Sequence, residues 1–335
     1  MTAVIDVHAH VFPRTALRAN ERGDRWHGAE VDVSADGRIV LRSATTTIRM
    51  DSSTFYREPV ASRLAVMDEW GIDRQVLSVS PVLFGYARAA GEAIAMAADV
   101  NDDIADLVAS HPQRFSGLAT LPMQEPAAAV RELERSMTEL GLSGACVGTH
   151  VNGANWDEAA LWDVLEAAQS LGALLFVHPA DVRIQSAVER YHLRNTIGNP
   201  LETTIAVGSI VFGGVLDRFP DLKLVFAHGG GFSCWGTERF DHAHRVRADA
   251  RVVTEQLPSE YFSRLHFDSL THSMRNLQML LGAVGASQVV LGTDFPADMG
   301  QADPVTWLTA DGSLDAATTA AVLGGNAERL LARGA

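Results

Sequence analysis

Eight short runs of apolar and β-branched residues recur along the chain, and helical patterns lie between most of them. Strands that alternate with helices predict parallel β-α-β units, and eight such units most simply close into a (β/α)8 barrel of the TIM type. An open doubly wound sheet is the alternative, but no G-x-G-x-x-G turn follows the first run. We therefore predict the α/β class, with barrel strands at residues 4–10, 75–82, 115–122, 144–151, 174–179, 222–230, 265–270 and 289–296.

Residues 14–58 break this rhythm between the first strand and the first barrel helix. Within them, AEVDV (29–33) and RIVLRS (38–43) flank SADG, a pattern typical of a small β-hairpin. We predict that this segment is an insertion packed over the mouth of the barrel. With 335 residues, 47% of them hydrophobic, the chain can bury a large core, and we expect residues 1–335 to form a single barrel domain.

The first predicted strand carries two histidines at alternate positions, in the stretch IDVHAH. Side chains at positions i and i+2 of a strand point to the same side, so His8 and His10 lean together from one short apolar segment. A sheet core gains nothing from such a pair, whereas a metal ion would bind both rings. The pair therefore indicates a metal site.

Three further strand ends carry candidate ligands or acid–base groups. His178 ends the fifth strand, His228 ends the sixth just before three glycines, and Asp294 ends the eighth. The active site of a (β/α)8 barrel lies at the carboxyl ends of its strands, so the barrel would bring these side chains onto one ring. Three neutral imidazoles and a carboxylate make a divalent-metal site of the zinc type, with manganese as the alternative. The predicted ligands are His8, His10, His178 and Asp294.

The same ring of residues suggests a chemistry. A metal bound there would lower the pKa of its water towards about 7, so that hydroxide is available at neutral pH. His228 would orient that water or shuttle its proton, and we predict His228 and Asp294 as the catalytic residues. His150 and Asp268, on the fourth and seventh strands, are further candidates for lining the pocket.

The lysine content limits the number of metal ions. Binuclear barrel hydrolases usually bridge two metals with a carboxylated lysine at the end of the fourth strand, but here that strand ends GTHV. Lys223, the only lysine, begins the sixth strand instead. We therefore expect one metal ion per chain.

Charge and composition argue against other classes of protein. The formal net charge of −14, with no basic stripe, argues against a nucleic-acid partner. We find no apolar run of the roughly 18 residues that a membrane span needs. Cys146 and Cys234 do not make a disulfide framework. The chain starts with its first strand and no signal-type segment, so we expect a cytoplasmic protein.

The chain resembles the amidohydrolase superfamily and, within it, the branch of aminocarboxymuconate-semialdehyde decarboxylase-like proteins. The matching stretches run through nearly the whole chain in order, and the long ETTIA…AHGGG block is highly specific. They are IDVHAHVFP, VSPVLFGYA, RFSGLATLPMQEP, GTHVNG, LFVHP, ETTIAVGSIVFGGVLDRFPDLKLVFAHGGG and LGTDFP.

Three segments depart from the type enzyme of that branch. Ala87 in FGYAR stands where that enzyme has a tryptophan, YHLRN (191–195) replaces its Y-W-L-P-W segment, and TDFPADMG (293–300) replaces T-D-Y-P-F-P-L-G. All three segments lie at or near the mouth of the site. The resemblance therefore implies the same metal-binding and catalytic residues, with different residues lining the mouth of the site.

The resemblance also implies a role for individual residues. His228 falls on the catalytic histidine of the family. Arg247, in HRVRAD, falls on an arginine that a neighbouring subunit supplies for the substrate carboxylate, and Arg49, in TTIRMD, falls on a second such arginine. A guanidinium fork suits a bidentate carboxylate. A homodimer is thus implied. The positions that fall on the metal ligands, usually of zinc, are His8, His10, His178 and Asp294.

The metal site together with the resemblance, which implies the activity, predicts a metal-dependent, non-oxidative decarboxylase, a carbon–carbon lyase acting on a small unsaturated or aromatic carboxylic acid. A hydrolase or hydratase that uses the same mononuclear centre is the alternative enzyme. A binding protein that keeps the metal without turnover is the alternative from another class. Release of CO2 would separate the first of these from the other two.

Overall fold

The computed structural model describes residues 2–34, 38–43, 47–50, 56, 59–310 and 312–332. Twelve strands lie in this part of the chain, and eight of them belong to one parallel set. In chain order the strands are β1 Ile5–Val11, β2 Arg25–Trp26, β3 Ala29–Val33, β4 Ile39–Arg42, β5 Thr47–Met50, β6 Arg74–Val79, β7 Phe115–Gly117, β8 Gly144–Gly148, β9 Leu174–His178, β10 Lys223–Phe226, β11 His266–Asp268 and β12 Val289–Val290.

The parallel strands close into a ring. Strands β1, β6 and β7 form one run and β8 to β12 form the other. Backbone hydrogen bonds join the runs on one side, where the Ala119 N–H donates to the Gly144 carbonyl at 2.8 Å. On the other side the Asp294 N–H donates to the His8 carbonyl, also at 2.8 Å. These bonds make a (β/α)8 barrel, and all eight predicted barrel strands are present, so the predicted α/β barrel class is confirmed.

Helices connect the barrel strands and cover them. Gly172, with φ 62°, ends α5 in the left-handed conformation that glycine adopts without strain. None of the helices in the described residues is long and apolar enough to cross a membrane. The helices are α1 Arg14–Arg22, α2 Val60–Glu69, α3 Ala90–Ser110, α4 Pro126–Thr138, α5 Trp162–Leu171, α6 Asn199–Phe212, α7 Val215–Arg218, α8 Thr237–Val246, α9 Pro258–Phe262, α10 Met274–Val284, α11 Pro304–Thr309, α12 Ala316–Ala320 and α13 Asn326–Leu331.

The barrel core supports the strand end where the histidines lie. All seven residues of β1 are buried, because the strand packs against the helices on one face and the barrel interior on the other. Phe176 of β9 is fully buried, and its ring centroid lies 4.9 Å from that of His8. Burial of one phenylalanine contributes on the order of 2–3 kcal/mol, so this packing also holds His8 in place.

The segment between β1 and α2 contains a small antiparallel sheet, in the order β2-β3-β4-β5. Strands β3 and β4 are the two arms of the predicted hairpin, and Val31 pairs with Leu41. Residues 35–37 of the predicted SADG turn lie outside the described residues. The Asp99 carboxylate on α3 ties the segment to the barrel, since it accepts a hydrogen bond from Trp26 Nε1 at 2.7 Å. The role of residues 14–58 as a cover over the barrel mouth stays a prediction.

Candidate metal centre

Four of the predicted site residues meet at the carboxyl ends of β1, β9, β10 and β12. One potential ligand atom from each of four side chains lies within 4.8 Å of the other three, and these side chains are His8, His178, His228 and Asp294. The strand ends come from positions almost 290 residues apart in sequence, and closure of the barrel brings them together.

His10 belongs to the same cluster. Its Nε2 lies 3.1 Å from Oδ1 of Asp294, as does Nε2 of His8. The ring centroid of His10 lies 5.1 Å from that of His8 and 5.0 Å from that of His178. The structure therefore places all four predicted metal ligands together, with His228 beside them.

The three imidazoles that are predicted as ligands share one arrangement. In each, Nδ1 faces a polar group of the protein, while Nε2 is buried and no hydrogen bond from the described residues reaches it. A metal-binding histidine normally has its second ring nitrogen held in this way, which fixes the tautomer and the direction of the free nitrogen. The groups facing Nδ1 are Asp268 Oδ2 at 2.6 Å from His8, Ser78 Oγ at 3.0 Å from His10, and the Pro179 carbonyl at 2.8 Å from His178.

The charges of the site favour a cation. Burial alone would lower the pKa of His8, but the nearby carboxylates of Asp294 and Asp268 outweigh it and raise the pKa to about 10. Burial would raise the pKa of Asp294, yet the surrounding histidines hold that pKa well below its usual range. Burial lowers the pKa of His10 and of His178, which leaves their rings neutral, the form that binds metals. A divalent ion would neutralise the buried negative charge of these carboxylates.

The buried polar atoms of the site fit a bound metal ion. Three buried Nε2 atoms without a well-aligned hydrogen bond lie beside the Asp294 carboxylate, and those of His8 and His10 are 3.1 Å from its Oδ1. A buried polar atom without a hydrogen bond costs about 1–3 kcal/mol, and a bound cation would give all three Nε2 atoms a partner. The donor set of imidazole nitrogen and carboxylate oxygen fits a zinc-type divalent ion.

His228 differs from the other three imidazoles. Its side chain is 17% exposed, and its Nε2 lies 3.5 Å from Oδ2 of Asp294. Its Nδ1 is buried, and no group of the described residues holds it. The backbone of His228 has φ 57° and leads into three glycines that also have positive φ. A ring that no group holds at Nδ1 and that contacts Asp294 only at the long distance of 3.5 Å suits proton transfer better than metal ligation.

Two cavities lie at the carboxyl ends of the barrel strands. The smaller, of about 300 Å3, lies beside His228 and is lined by Phe232, Trp235 and Leu280, among other residues. The larger, of about 530 Å3, lies between the insertion sheet and the loops after β6, β8 and β9. Arg49 lines this larger cavity, and so does His150, for which the sequence had suggested such a position.

Arg247 lies apart from the metal centre of its own chain. It ends α8, its side chain is 67% exposed, and Nε and one terminal N–H donate to the two Asp249 oxygens at 3.1 and 3.2 Å. Neither cavity includes Arg247. Its predicted role in the site of a partner subunit stays a prediction.

Two residues contact the predicted metal ligands, and the sequence did not predict either contact. Asp268 was a candidate lining residue, but it lies fully buried behind His8. Ser78 was not singled out, and it contacts His10. The strand-end rule could have found Asp268, which is the last residue of β11, whereas nothing local marks Ser78.

The fold and the centre define a (β/α)8-barrel protein with a buried site of histidines and a carboxylate. Comparisons with known proteins identify the family within this class. The amidohydrolase family profile matches residues 5–333. The 2-amino-3-carboxymuconate-6-semialdehyde decarboxylase of Dictyostelium discoideum is 34% identical over 334 residues, 98% of this chain and 91% of that protein. Gamma-resorcylate decarboxylase of a Polaromonas species is 29% identical over 78% of this chain and 88% of its own.

A solved structure agrees with this placement. The crystal structure of 5-carboxyvanillate decarboxylase from Sphingomonas paucimobilis superposes with a TM-score of 0.83 at 27% identity, and the match covers 100% of both chains. The chain belongs to the amidohydrolase family. The resemblance drawn from the sequence motifs is thereby confirmed.

Proposed function

We propose that the protein is a divalent-metal-dependent, non-oxidative decarboxylase of an unsaturated or aromatic carboxylic acid. The observation that carries the proposal is the convergence of three anchored imidazoles, the Asp294 carboxylate and an unanchored His228 at the barrel mouth. The family relatives described above, two curated and one of known structure, are all named decarboxylases.

The metal ligands in this proposal are His8, His10, His178 and Asp294. A divalent ion held by them, zinc by its donor set or manganese, supplies a Lewis acid that stabilises negative charge and lowers the pKa of water. The groups that face each Nδ1 keep the three ligand rings pointed inward. Burial keeps the rings of His10 and His178 neutral, and a bound cation would take the place of the proton on His8.

His228 has the role of the acid–base group. Non-oxidative decarboxylation replaces the carboxylate on carbon by a proton, so the site must deliver a proton to that carbon while the C–C bond to CO2 breaks. The His228 ring stands next to Asp294 and also lines the smaller cavity, so it can carry a proton between the centre and a bound substrate. Its neighbours Gly229, Gly230 and Gly231 have no side chains that would block the approach.

Two arginines complete the proposal. Arg49, on β5, faces the larger cavity and would bind a carboxylate of the substrate through its guanidinium fork. Arg247 would do so in the site of a second subunit, which makes the active form a homodimer. Its exposed position at the end of α8 is compatible with a contact outside its own chain.

The test is CO2 release from a panel of carboxymuconate-like and hydroxybenzoate-like acids, with the metal-loaded protein. We expect CO2 in equal amount to the acid consumed, and no consumption of oxygen. Loss of an acid without CO2 would instead indicate a hydrolase or hydratase. No loss of any acid, with the metal confirmed in the protein, would contradict turnover of this substrate class.

A further inference from the structure

A buried arginine contacts the strand that carries two of the metal-ligand candidates. Arg63, on α2, is 8% exposed, and burial lowers its pKa to about 10. No carboxylate of the described residues forms an ion pair with it. A buried charge without such a partner is costly, so the groups that do contact this guanidinium indicate what it stabilises.

Arg63 touches two of the segments that carry ligands. One terminal nitrogen donates to the backbone carbonyl of His10, which is itself a ligand candidate. Cζ of the guanidinium also lies 4.7 Å from the centroid of the Phe295 ring, and Phe295 directly follows Asp294. A cation over an aromatic ring is attracted to it. The same side chain therefore contacts β1 and the loop after β12 next to their ligands.

The other terminal nitrogen of Arg63 begins a chain of hydrogen bonds. It donates to Oε1 of Gln75 at 2.9 Å, and Nε2 of Gln75 donates to Oδ2 of Asp6, also at 2.9 Å. A guanidinium can only donate and a carboxylate can only accept, so the Gln75 amide has one possible orientation. Gln75 and Asp6 are both fully buried, so water does not compete for these bonds.

Asp6 joins this chain to the backbone beside two further ligands. Its Oδ1 accepts the backbone N–H groups of His8 at 3.1 Å and of Thr293 at 3.0 Å. Its Oδ2 accepts the hydroxyl of Thr293 at 2.6 Å. Thr293 directly precedes Asp294 in the sequence. One carboxylate therefore holds β1 and the loop after β12 together at the point where both present ligands.

We call these four side chains the Arg63 network, and they are Arg63, Gln75, Asp6 and Thr293. The network differs from the groups that face Nδ1 of the ligand rings, because it contacts the backbone of the ligand segments. Metal sites require their ligands to be held within about 0.5 Å of the productive geometry. A shift of either segment would move His8 and His10 relative to Asp294, so the network is placed to control that spacing.

We propose that Arg63 is a positioning residue of the metal centre. It acts through Gln75, Asp6 and Thr293 to set the distance between the ligands of β1 and the Asp294 carboxylate. This inference rests on the proposed function only for the assignment of the ligands. It makes metal affinity depend on a side chain of α2 that is not itself a ligand.

The test is metal affinity by chelator competition, together with the visible spectrum of the Co2+-loaded protein and the melting temperature. Arg63→Met keeps an unbranched side chain and loses both hydrogen bonds, so it should bind metal about tenfold more weakly and shift the Co2+ bands. Arg63→Lys keeps the charge but lacks the fork, so its loss should be smaller. A folded Arg63→Met protein with an unchanged spectrum and an affinity within about twofold of the wild type would overturn the proposal.

Arg114→Met is the matched control. Arg114 donates to the Ile72 carbonyl at 3.1 Å and the Asp73 carbonyl at 2.9 Å, in the connection between α2 and β6 and at the end of β6 away from the centre. The variant should lower the melting temperature and leave metal affinity and the Co2+ spectrum unchanged. If it weakened metal binding as much as Arg63→Met, the effect would be a general loss of stability and the proposal would be wrong.

A double substitution tests whether the network acts as a unit. Thr293→Val removes the hydroxyl that Asp6 accepts and should also weaken metal binding. When it is combined with Arg63→Lys, the loss should be smaller than the product of the two single losses, because both changes act on one network. Losses that multiply would contradict the network. Gln75→Met breaks the chain at its centre and should give a loss like that of Arg63→Met, so it replaces that variant if Arg63→Met does not fold.

The outcome is separable from that of the proposed function. Weakened metal binding in Arg63→Met, with no CO2 release by the wild type from any acid, would support the network and contradict the decarboxylase. CO2 release by the wild type, with unchanged metal binding in Arg63→Met, would support the decarboxylase and contradict the network.

Discussion

Asp268→Asn tests whether the carboxylate behind His8 controls metal binding. One oxygen of Asp268 faces His8 Nδ1 at 2.6 Å, and the other accepts the backbone N–H groups of Gly229 at 2.8 Å and Leu270 at 3.1 Å. Both sides of the carboxylate therefore accept from N–H donors. An amide of the same shape can accept on only one side.

Either orientation of the new asparagine disturbs the site. If its NH2 group faces His8, the histidine must accept at Nδ1, so its proton moves to Nε2 and blocks the metal. If the NH2 group faces Gly229, two donors oppose each other beside His228. Loss of such a partner typically costs about 10–100-fold in metal affinity. That corresponds to about 1.4–2.7 kcal/mol.

The assay is metal affinity by competition with a chromophoric chelator, together with the visible spectrum of the Co2+-loaded protein. Asp103→Asn is the matched control, because Asp103 is also buried and also accepts on both sides, from the Arg14 N–H at 2.7 Å and Nε at 2.9 Å. It should lower the melting temperature without changing metal affinity. A folded Asp268→Asn protein that binds metal within about twofold of the wild type would refute the reasoning.

Further predictions concern the centre and the dimer. Elemental analysis should find one divalent metal per chain, and two tightly held ions would contradict this. His178→Ala should lose the metal, whereas His228→Ala should keep it and release CO2 about a hundredfold more slowly; equal metal loss in both would remove our distinction between ligand and base. In a mixed dimer of Arg247→Ala and His228→Ala chains, one site has both lesions and the other has none, so activity should recover to about half. No recovery in a confirmed mixed dimer would place Arg247 outside the partner's site.

The sequence by itself was sufficient to predict the barrel architecture and most residues of the metal centre. Alternating strands and helices encode the barrel locally, because the period of apolar residues in each element is set by that element's own geometry. A closed parallel barrel then forces the strand ends into one ring. His8, His178 and Asp294 could therefore be grouped from their positions alone, and the structure brings them within 4.8 Å.

Only the tertiary structure shows which groups contact the side chains at these strand ends. Asp268 lies 260 residues from His8 in sequence, and their 2.6 Å contact depends on the register between strands, which no local pattern records. The larger cavity likewise arises from the insertion sheet and the loops after β6, β8 and β9, which are distant in sequence. Side-chain direction and burial are properties of the packed barrel, so only the structure shows which groups hold Nδ1 of the three ligand histidines and that no described residue holds Nδ1 of His228.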